Sequence, residues 1–598
     1  MKYYLSLILV LFCTTLACAQ NLPRDYFRSP LDIPLAFSGT FAEVRTNHFH
    51  SGIDCRTRGV TGLPVYAAAD GYVSRINISP WGGGKVLYID HPNGFRTVYM
   101  HLEGFSGDIA RWVRDYQYEH HTYAFDQKIP QGLLRVNKGD IVARSGNSGD
   151  SGGPHLHFEI RYAHNDQTIN PLYFGLNYND NTKPTIQGIK IYPLDGRPID
   201  ITQDQQTVTI DGSFYTGIYA SDASEGSTPR NGIDLIELYI DDLLFWKYHM
   251  STYLFEDTRA INTIIDYSHF CTTRQAYFIT RRMPGSPLYS DLSYADYQIQ
   301  RLEGESRNSP SPTLSTKGDG IISFPSGSQH KLEYRVFDHK GNLTKKTFFV
   351  KKQPLSSENL QSSAEADNKT GLPVFGHDEN PSVKQTEQQY QSPFSLQRKQ
   401  YCVSIKANTL YCNDNMIVRE VPTSVKAVLP FALYICPKNN PLPPHKSYSL
   451  KFFLPQKLRR QAHLTIVNIN GKRISACTTH RNGDTLSTTP RFWGQYTVMQ
   501  DTVPPTIKMV NLTKGKKKKT QPLPQYLKIQ IADNLSGIES YHCYLNGRWI
   551  LAEYDGKSGQ LIINTKDHPE FEQPGNKLKV VVSDACGNRS EMTFDRFR

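Results

Sequence analysis

Residues 151–160, SGGPHLHFEI, put two histidines one residue apart, after a glycine-rich turn and inside a run that otherwise reads as a buried strand. Side chains i and i+2 of a strand share a face, so His155 and His157 project together while Leu156 and Phe158 face the opposite way into a core. Imidazole burial without hydrogen bonds is costly. The pair therefore needs water or partners, and on this stretch alone a solvent-facing polar edge and a functional pair stay equally open.

Upstream, HFHSGIDCRT supplies His50 and Asp54 separated by three residues, with Gly52 allowing a tight backbone between them. Histidine and aspartate are good ligands for Zn²⁺, and three protein ligands with an open fourth position mark a catalytic zinc. His50, Asp54 and one histidine of His155/His157 would make such a set. A further histidine, His101, stands in YMHL, at the far end of a hairpin announced by Pro92-Asn93-Gly94 between KVLYIDH and FRTVYMH. His48 is also close to His50, but only His50 has the HxGxD spacing. Glu159 shares a face with His157, where it would orient an imidazole or serve as an ordinary surface carboxylate. Cys55, next to Asp54, points elsewhere and reads as buried, and His120 and His121 read as loop histidines.

The 598 residues exceed what one core supports and suggest about three to five domains. Plentiful Tyr and Phe, clustered Gly and Pro, and few long apolar runs of helical period favour a mainly β protein. Residues 1–19 carry Lys2, an apolar stretch and Ala17-Cys18-Ala19, and read as a signal peptide that directs export to the periplasm or cell envelope. Lipoprotein anchoring through Cys18 is disfavoured by Thr15, where an aliphatic residue is wanted. No later run approaches the ~20 apolar residues of a spanning helix, so the protein is not read as integral to a membrane.

The cysteines beyond the signal form no CxxC pair and no zinc cage. Cys402 and Cys412 flank an expected hairpin and could pair in an oxidising compartment. The net charge of +11, or +10 once Lys2 leaves with the signal, fits a mildly basic surface, and nucleic acid is not expected as a partner. Lys514–Lys519 reads as a solvated loop.

Residues 20–178 hold nearly all the unusual chemistry. From about 180 the chain becomes β-rich with an internal echo: KPTIQGIKIYP (183–193) beside PPTIKMVNL (504–512), acidic turns at Asp222 and Asp533, and D-x-x-G-N turns at Asp338 and Asp584. These suggest two copies of one Ig-like β-sandwich, at 180–352 and 501–598, with a β-rich domain at 397–500. Residues 353–396, poor in aliphatics, read as a disordered linker.

The ordered set HFHSGID, GLPVYAAADGYV, GKVLYIDHPNGFRTVYMHL, VNKGDIVARSGNSGDSGGPHLHFEIR and NPL closely resembles the LytM/lysostaphin-type zinc metallopeptidases, which cut peptide cross-links in bacterial peptidoglycan. The resemblance covers residues 40–173. It implies an antiparallel LytM-type catalytic domain, Zn²⁺ held by His50, Asp54 and His157, and functional roles for His155 and His101. Zinc so held would bring the pKa of a water to about 7; His155 is then expected to move its proton and His101 to donate to the oxyanion. The implied partner is a peptidoglycan peptide, with the C-terminal β domains open to an envelope protein. LytM-like regulators without catalytic activity usually lack a ligand, whereas all five positions stand here. The family's minimal pattern is exceeded at 105–137, where Trp112, Tyr116, Tyr118, Tyr123 and Phe125 are expected mostly to pack, with one or two edging a groove.

Overall fold

The computed structural model describes residues 22–223, 231–288, 319–353, 387–512, 523–573 and 575–595. The expected signal peptide with Cys18, most of the linker at 353–396 and the Lys514–Lys519 run lie outside the described residues. What is described is mainly antiparallel β, and it begins with the sheet that carries the histidines.

That sheet is built from β1 (Phe37–Gly39), β2 (Ile53–Arg56), β3 (Gly71–Ile78), β4 (Lys85–Asp90), β5 (Phe95–Met100), β6 (Phe125–Lys128) and β7 (His155–Tyr162). They lie in the order β1-β2-β7-β5-β4-β3-β6, each antiparallel to its neighbour. The β4–β5 hairpin turns at residues 91–94. There the positive φ falls on Gly94 (+83°), whose N–H donates to the carbonyl of His91. Leu156, Phe158 and Ile160 of β7 are fully buried beside Tyr99, and each such side chain contributes roughly 1.5–3 kcal/mol.

The stretch after His101 contains α1 (Gly107–His120), which buries Ile109, Val113 and Gln117 along one stripe and ends at His121 in a left-handed conformation. Its rings pack, as expected of most of them: Trp112 stacks on Tyr116 and meets Phe125, and Tyr123 is buried. Tyr118 instead meets Trp549 of the last sandwich edge to face, and His121 stacks on the same indole. These two side chains belong to a domain contact, not to a groove edge.

Three pairs of packed sheets follow. The first joins a four-stranded sheet containing Thr185–Pro193 and Phe214–Ser221 to a five-stranded one containing Leu235–Ile240, Gln329–Phe337 and Leu343–Lys352, around Trp246, Tyr334 and Ile218. The second packs six strands on five over residues 387–500. Cys402 lies on Tyr401–Ile405 of its five-stranded sheet, whereas Cys412 leads into Asp414–Val421 of the six-stranded one. The two are not paired: both are free thiols, and Cys412 Sγ accepts from Asn440 Nδ2. The third pair is two four-stranded sheets over 506–594.

Two of these bodies grip the histidine-bearing domain. Thr168–Ile169 pairs with β7 on one side and with Thr252–Tyr253 of the first sandwich on the other. From the last sandwich, the Glu553 carboxylate takes two 2.9 Å hydrogen bonds from Lys85 Nζ, and Lys557 Nζ donates to the carbonyls of Asn147 and Ser151.

Candidate metal centre and active site

The β2–β7 register sets His157 directly opposite Asp54, and β5 on the other flank sets Met100 opposite His157, so that His101 follows at the strand's end. Residues separated by a hundred positions are thereby brought to one spot. His50 arrives from the turn before β2. Gly52 is required there because a Cβ would sit 2.2 Å from the carbonyl oxygen of Phe158.

His50 Nε2, Asp54 Oδ1 and His157 Nδ1 lie 2.9 Å from one another in all three pairings. Zinc–ligand bonds of 2.0–2.1 Å in a tetrahedron give ligand edges of about 3.3 Å, so the triangle is close to the face of such a site. The remaining ring nitrogens are tethered. His50 Nδ1 donates to the Thr40 carbonyl at 2.8 Å, and His157 Nε2 pairs with Glu159 Oε1 at 2.9 Å. Tethers of this kind fix the tautomer and turn the free nitrogen toward a metal.

The electrostatics favour positive charge at this point. Burial alone would lower His157, yet the Asp54 and Glu159 carboxylates push it up to about 9. Burial would likewise raise Asp54, but His50 and the bonds from His155 and His157 hold it well below the usual carboxylate range. Glu159, with no exposed surface, is not the ordinary surface carboxylate entertained above. Against its burial, the Arg161 guanidinium and His157 keep it down at about 2. Arg45 closes the set with a 3.1 Å pair to Asp54 Oδ2.

His155 and His101 stand beside the triangle. His155 Nε2 is 3.3 Å from Asp54 Oδ1, and its Nδ1 donates to the Gly153 carbonyl at 2.8 Å. His101 Nδ1 donates to the Ser148 carbonyl at 2.9 Å, and its ring lies 4.8 Å from that of His155. Burial, helped by the nearby His157 and His155, lowers His101 to about 3. His48 is exposed and turned to the Thr46 carbonyl, away from the triangle. Cys55 is buried, as its position beside Asp54 suggested.

The sequence reading missed several supports. Arg161 continues the period-two row His155, His157, Glu159 and could have been found by extending it. The carbonyls of Thr40, Ser148 and Gly153 carry no side-chain signal. Phe255, whose ring lies 4.6 Å under the Arg161 guanidinium, and Lys557, which holds the loop before His155, come from other domains.

Two imidazoles and a carboxylate thus converge as a group that could hold a metal ion, with two further imidazoles alongside. Residues 48–171 match the model of peptidase family M23 and form an M23 domain, an interval that contains all five residues. Among curated proteins the chain is similar to an uncharacterized metalloprotease of Haemophilus influenzae, 29% identical over 26% of this chain and 28% of that one. It is 32% identical to the DD-carboxypeptidase/endopeptidase Mpg of Neisseria meningitidis over 22% of this chain and 24% of that one. It is 28% identical to the peptidoglycan DD-endopeptidase ShyA of Vibrio cholerae over 24% and 28% respectively. The match thus spans about a quarter of each of these relatives.

Proposed function

We propose that the chain is a zinc-dependent endopeptidase of the bacterial envelope that hydrolyses peptide cross-links of peptidoglycan. The observation that carries this reading is the triangle of His50 Nε2, Asp54 Oδ1 and His157 Nδ1, with both imidazoles tethered through their other nitrogens. The M23 domain and the relatives named as DD-endopeptidases support the substrate class. The apolar segment at 1–19 supports export. Among the described residues, no helix is long and apolar enough to cross a membrane.

His50, Asp54 and His157 would hold the ion. Zinc in such a set supplies Lewis acidity toward a peptide carbonyl and a water that ionises near neutral pH. The remaining chemistry belongs to the protein. Carbonyl oxygens only accept, so Gly153 and Ser148 fix a proton on Nδ1 of His155 and of His101, and either ring, when neutral, can accept only at Nε2. His155 is then placed to take a proton from the attacking water and return it to the leaving amine. His101, neutral and bare at Nε2, accepts first and donates to an oxyanion only once protonated. This modifies the donor role expected from the sequence. All five positions are kept, which favours the enzyme over a regulator that merely shares the fold.

The test is digestion of purified sacculi by the mature chain, with the products read by mass spectrometry. Release of uncrosslinked peptides that stops with EDTA supports the reading. Sacculi left intact by zinc-loaded protein would overturn it.

A further inference from the structure

Where the M23 domain passes into the first sandwich, a second group of buried side chains converges. Asp180 (9% exposed), Asp222 (4%) and Asp338 (2%) each bring a carboxylate oxygen within 4.8 Å of the others. Asp180 precedes strand Thr185–Pro193, Asp222 follows Phe214–Ser221, and Asp338 opens the turn between Gln329–Phe337 and Leu343–Lys352. Backbone turns use some of these oxygens. Asp180 Oδ1 accepts from the Thr182 N–H, Asp338 Oδ1 from the N–H groups of Lys340 and Asn342, and Asp338 Oδ2 from Asn342 Nδ2.

Asp222 Oδ1 is different: it is buried and has no hydrogen-bond partner. A carboxylate oxygen in that state is costly unless a cation meets it. Neither neighbouring basic side chain, Lys340 or His339, is hydrogen-bonded to that oxygen, and His339 Nε2 is itself buried without a partner. Lys340 Nζ lies 4.1 Å over the Tyr178 ring, and His339 Nδ1 pairs with Asp234 at 2.8 Å. Burial, with Asp180 nearby, pushes the Asp222 carboxyl up to about 7.

The arrangement recurs in the last sandwich, where Asp501, Asp533 and Asp584 also bring oxygens within 4.8 Å of one another. DNTKPTI (180–186) aligns with DTVPPTI (501–507), Asp222 and Asp533 each open D-x-x-x-G, and Asp338 and Asp584 each open D-x-x-G-N. The hydrogen bonds repeat as well. Asp501 Oδ1 accepts from Val503 N–H, Asp584 Oδ1 from Cys586 and Asn588 N–H, and Asp584 Oδ2 from Asn588 Nδ2. Asn588 Nδ2 reaches the Asp501 carbonyl as Asn342 Nδ2 reaches that of Asp180. Asp533 Oδ1 and Ser536 Oγ are buried without partners.

We propose that Asp180, Asp222 and Asp338 form a Ca²⁺ site, and that Asp501, Asp533 and Asp584 form its repeat. Donors that are all oxygen select hard cations over zinc. Three converging carboxylates suit Ca²⁺, which accepts irregular oxygen shells. Mg²⁺ keeps most of its waters and usually takes one or two carboxylates. Each ion would tie the segment entering a sandwich to two of that sandwich's own turns, fixing the junction with the preceding domain. The proposal does not depend on peptidase activity.

The experiment is calorimetric titration of Ca²⁺ into the full zinc-loaded chain at constant free zinc. Two equivalents are expected, with Kd on the order of 10⁻⁴ M, together with a rise in unfolding midpoint that equal Mg²⁺ does not match. Asp222→Asn and Asp533→Asn should each bind one. A wild-type chain binding a single equivalent, lost in Asp222→Asn, keeps the first site and removes the repeat. No binding at millimolar Ca²⁺, or full stoichiometry in Asp222→Asn, overturns the proposal. Should that variant fail to fold, terbium luminescence sensitised by Tyr178 and competed by Ca²⁺ reads the site in the unaltered chain, and absence of the signal overturns it.

Discussion

The His50–Asp54–His157 and Asp180–Asp222–Asp338 clusters are each three side chains at or below 9% exposure, yet they solve burial in opposite ways. In the first, imidazole rings do most of the converging, every spare ring nitrogen has a partner, and Arg45 and Arg161 balance the carboxylates. In the second, carboxylates converge on one another and one oxygen is left over. Donor type therefore separates a place for a borderline metal from a place for a hard one before any ion is considered.

His157→Ala should break the first cluster outright. Zinc measured by elemental analysis is expected to fall from one per chain to background, and release of peptide from sacculi to the level of the buffer control. The same variant should keep its Ca²⁺ stoichiometry, and Asp222→Asn should keep its zinc. If either substitution emptied both clusters, the two would be one cooperative unit and the contrast would fail.

A subtler change is Glu159→Gln, which leaves the three donors in place but weakens the tether on His157. Zinc affinity measured against a chelator should drop about 10–100-fold. An unchanged affinity would show that the triangle holds without its support.

Two further changes show what polar pairs are worth where no ion is invoked. Glu553→Gln removes the carboxylate facing Lys85, whose side chain is 10% exposed against 44% for the glutamate. Since the glutamate is partly in solvent, the loss should be about 1 kcal/mol at most, read from denaturant midpoints. His91 is buried against Phe27, donates to the Asp70 carbonyl and pairs with Thr97, and its burial lowers its pKa. The unfolded chain therefore takes up that proton at higher pH than the folded one does, and stability is lost as pH falls through about 6.5. His91→Gln should flatten the unfolding midpoint between pH 7 and pH 5 by the smallest shift of the series.

Much of this contrast was legible in the amino-acid order. Strand periodicity placed His155, His157 and Glu159 on one face, the HxGxD spacing picked out His50 and Asp54, and the echo between 183–193 and 504–512 picked out segments that enter the first and last sheet pairs. The burial of the polar face of β7 was not legible, because its cover arrives from Thr252, Tyr253 and Phe255, some ninety residues on. Nearness along the chain likewise did not reveal that the segments of Cys402 and Cys412 enter opposite sheets of one sandwich.

The grip of the last sandwich on the first domain has a consequence in time. Protein synthesis runs from the amino end, so β7 and its histidines exist long before Lys557 does. The loop carrying Asn147 and Ser151, whose Oγ lies 3.2 Å from His155 Nδ1, receives its ammonium partner only after about four hundred more residues have been made. Domains that fold one by one as they emerge would thus complete the histidine-bearing face last, when Lys557 reaches the loop of Asn147 and Ser151.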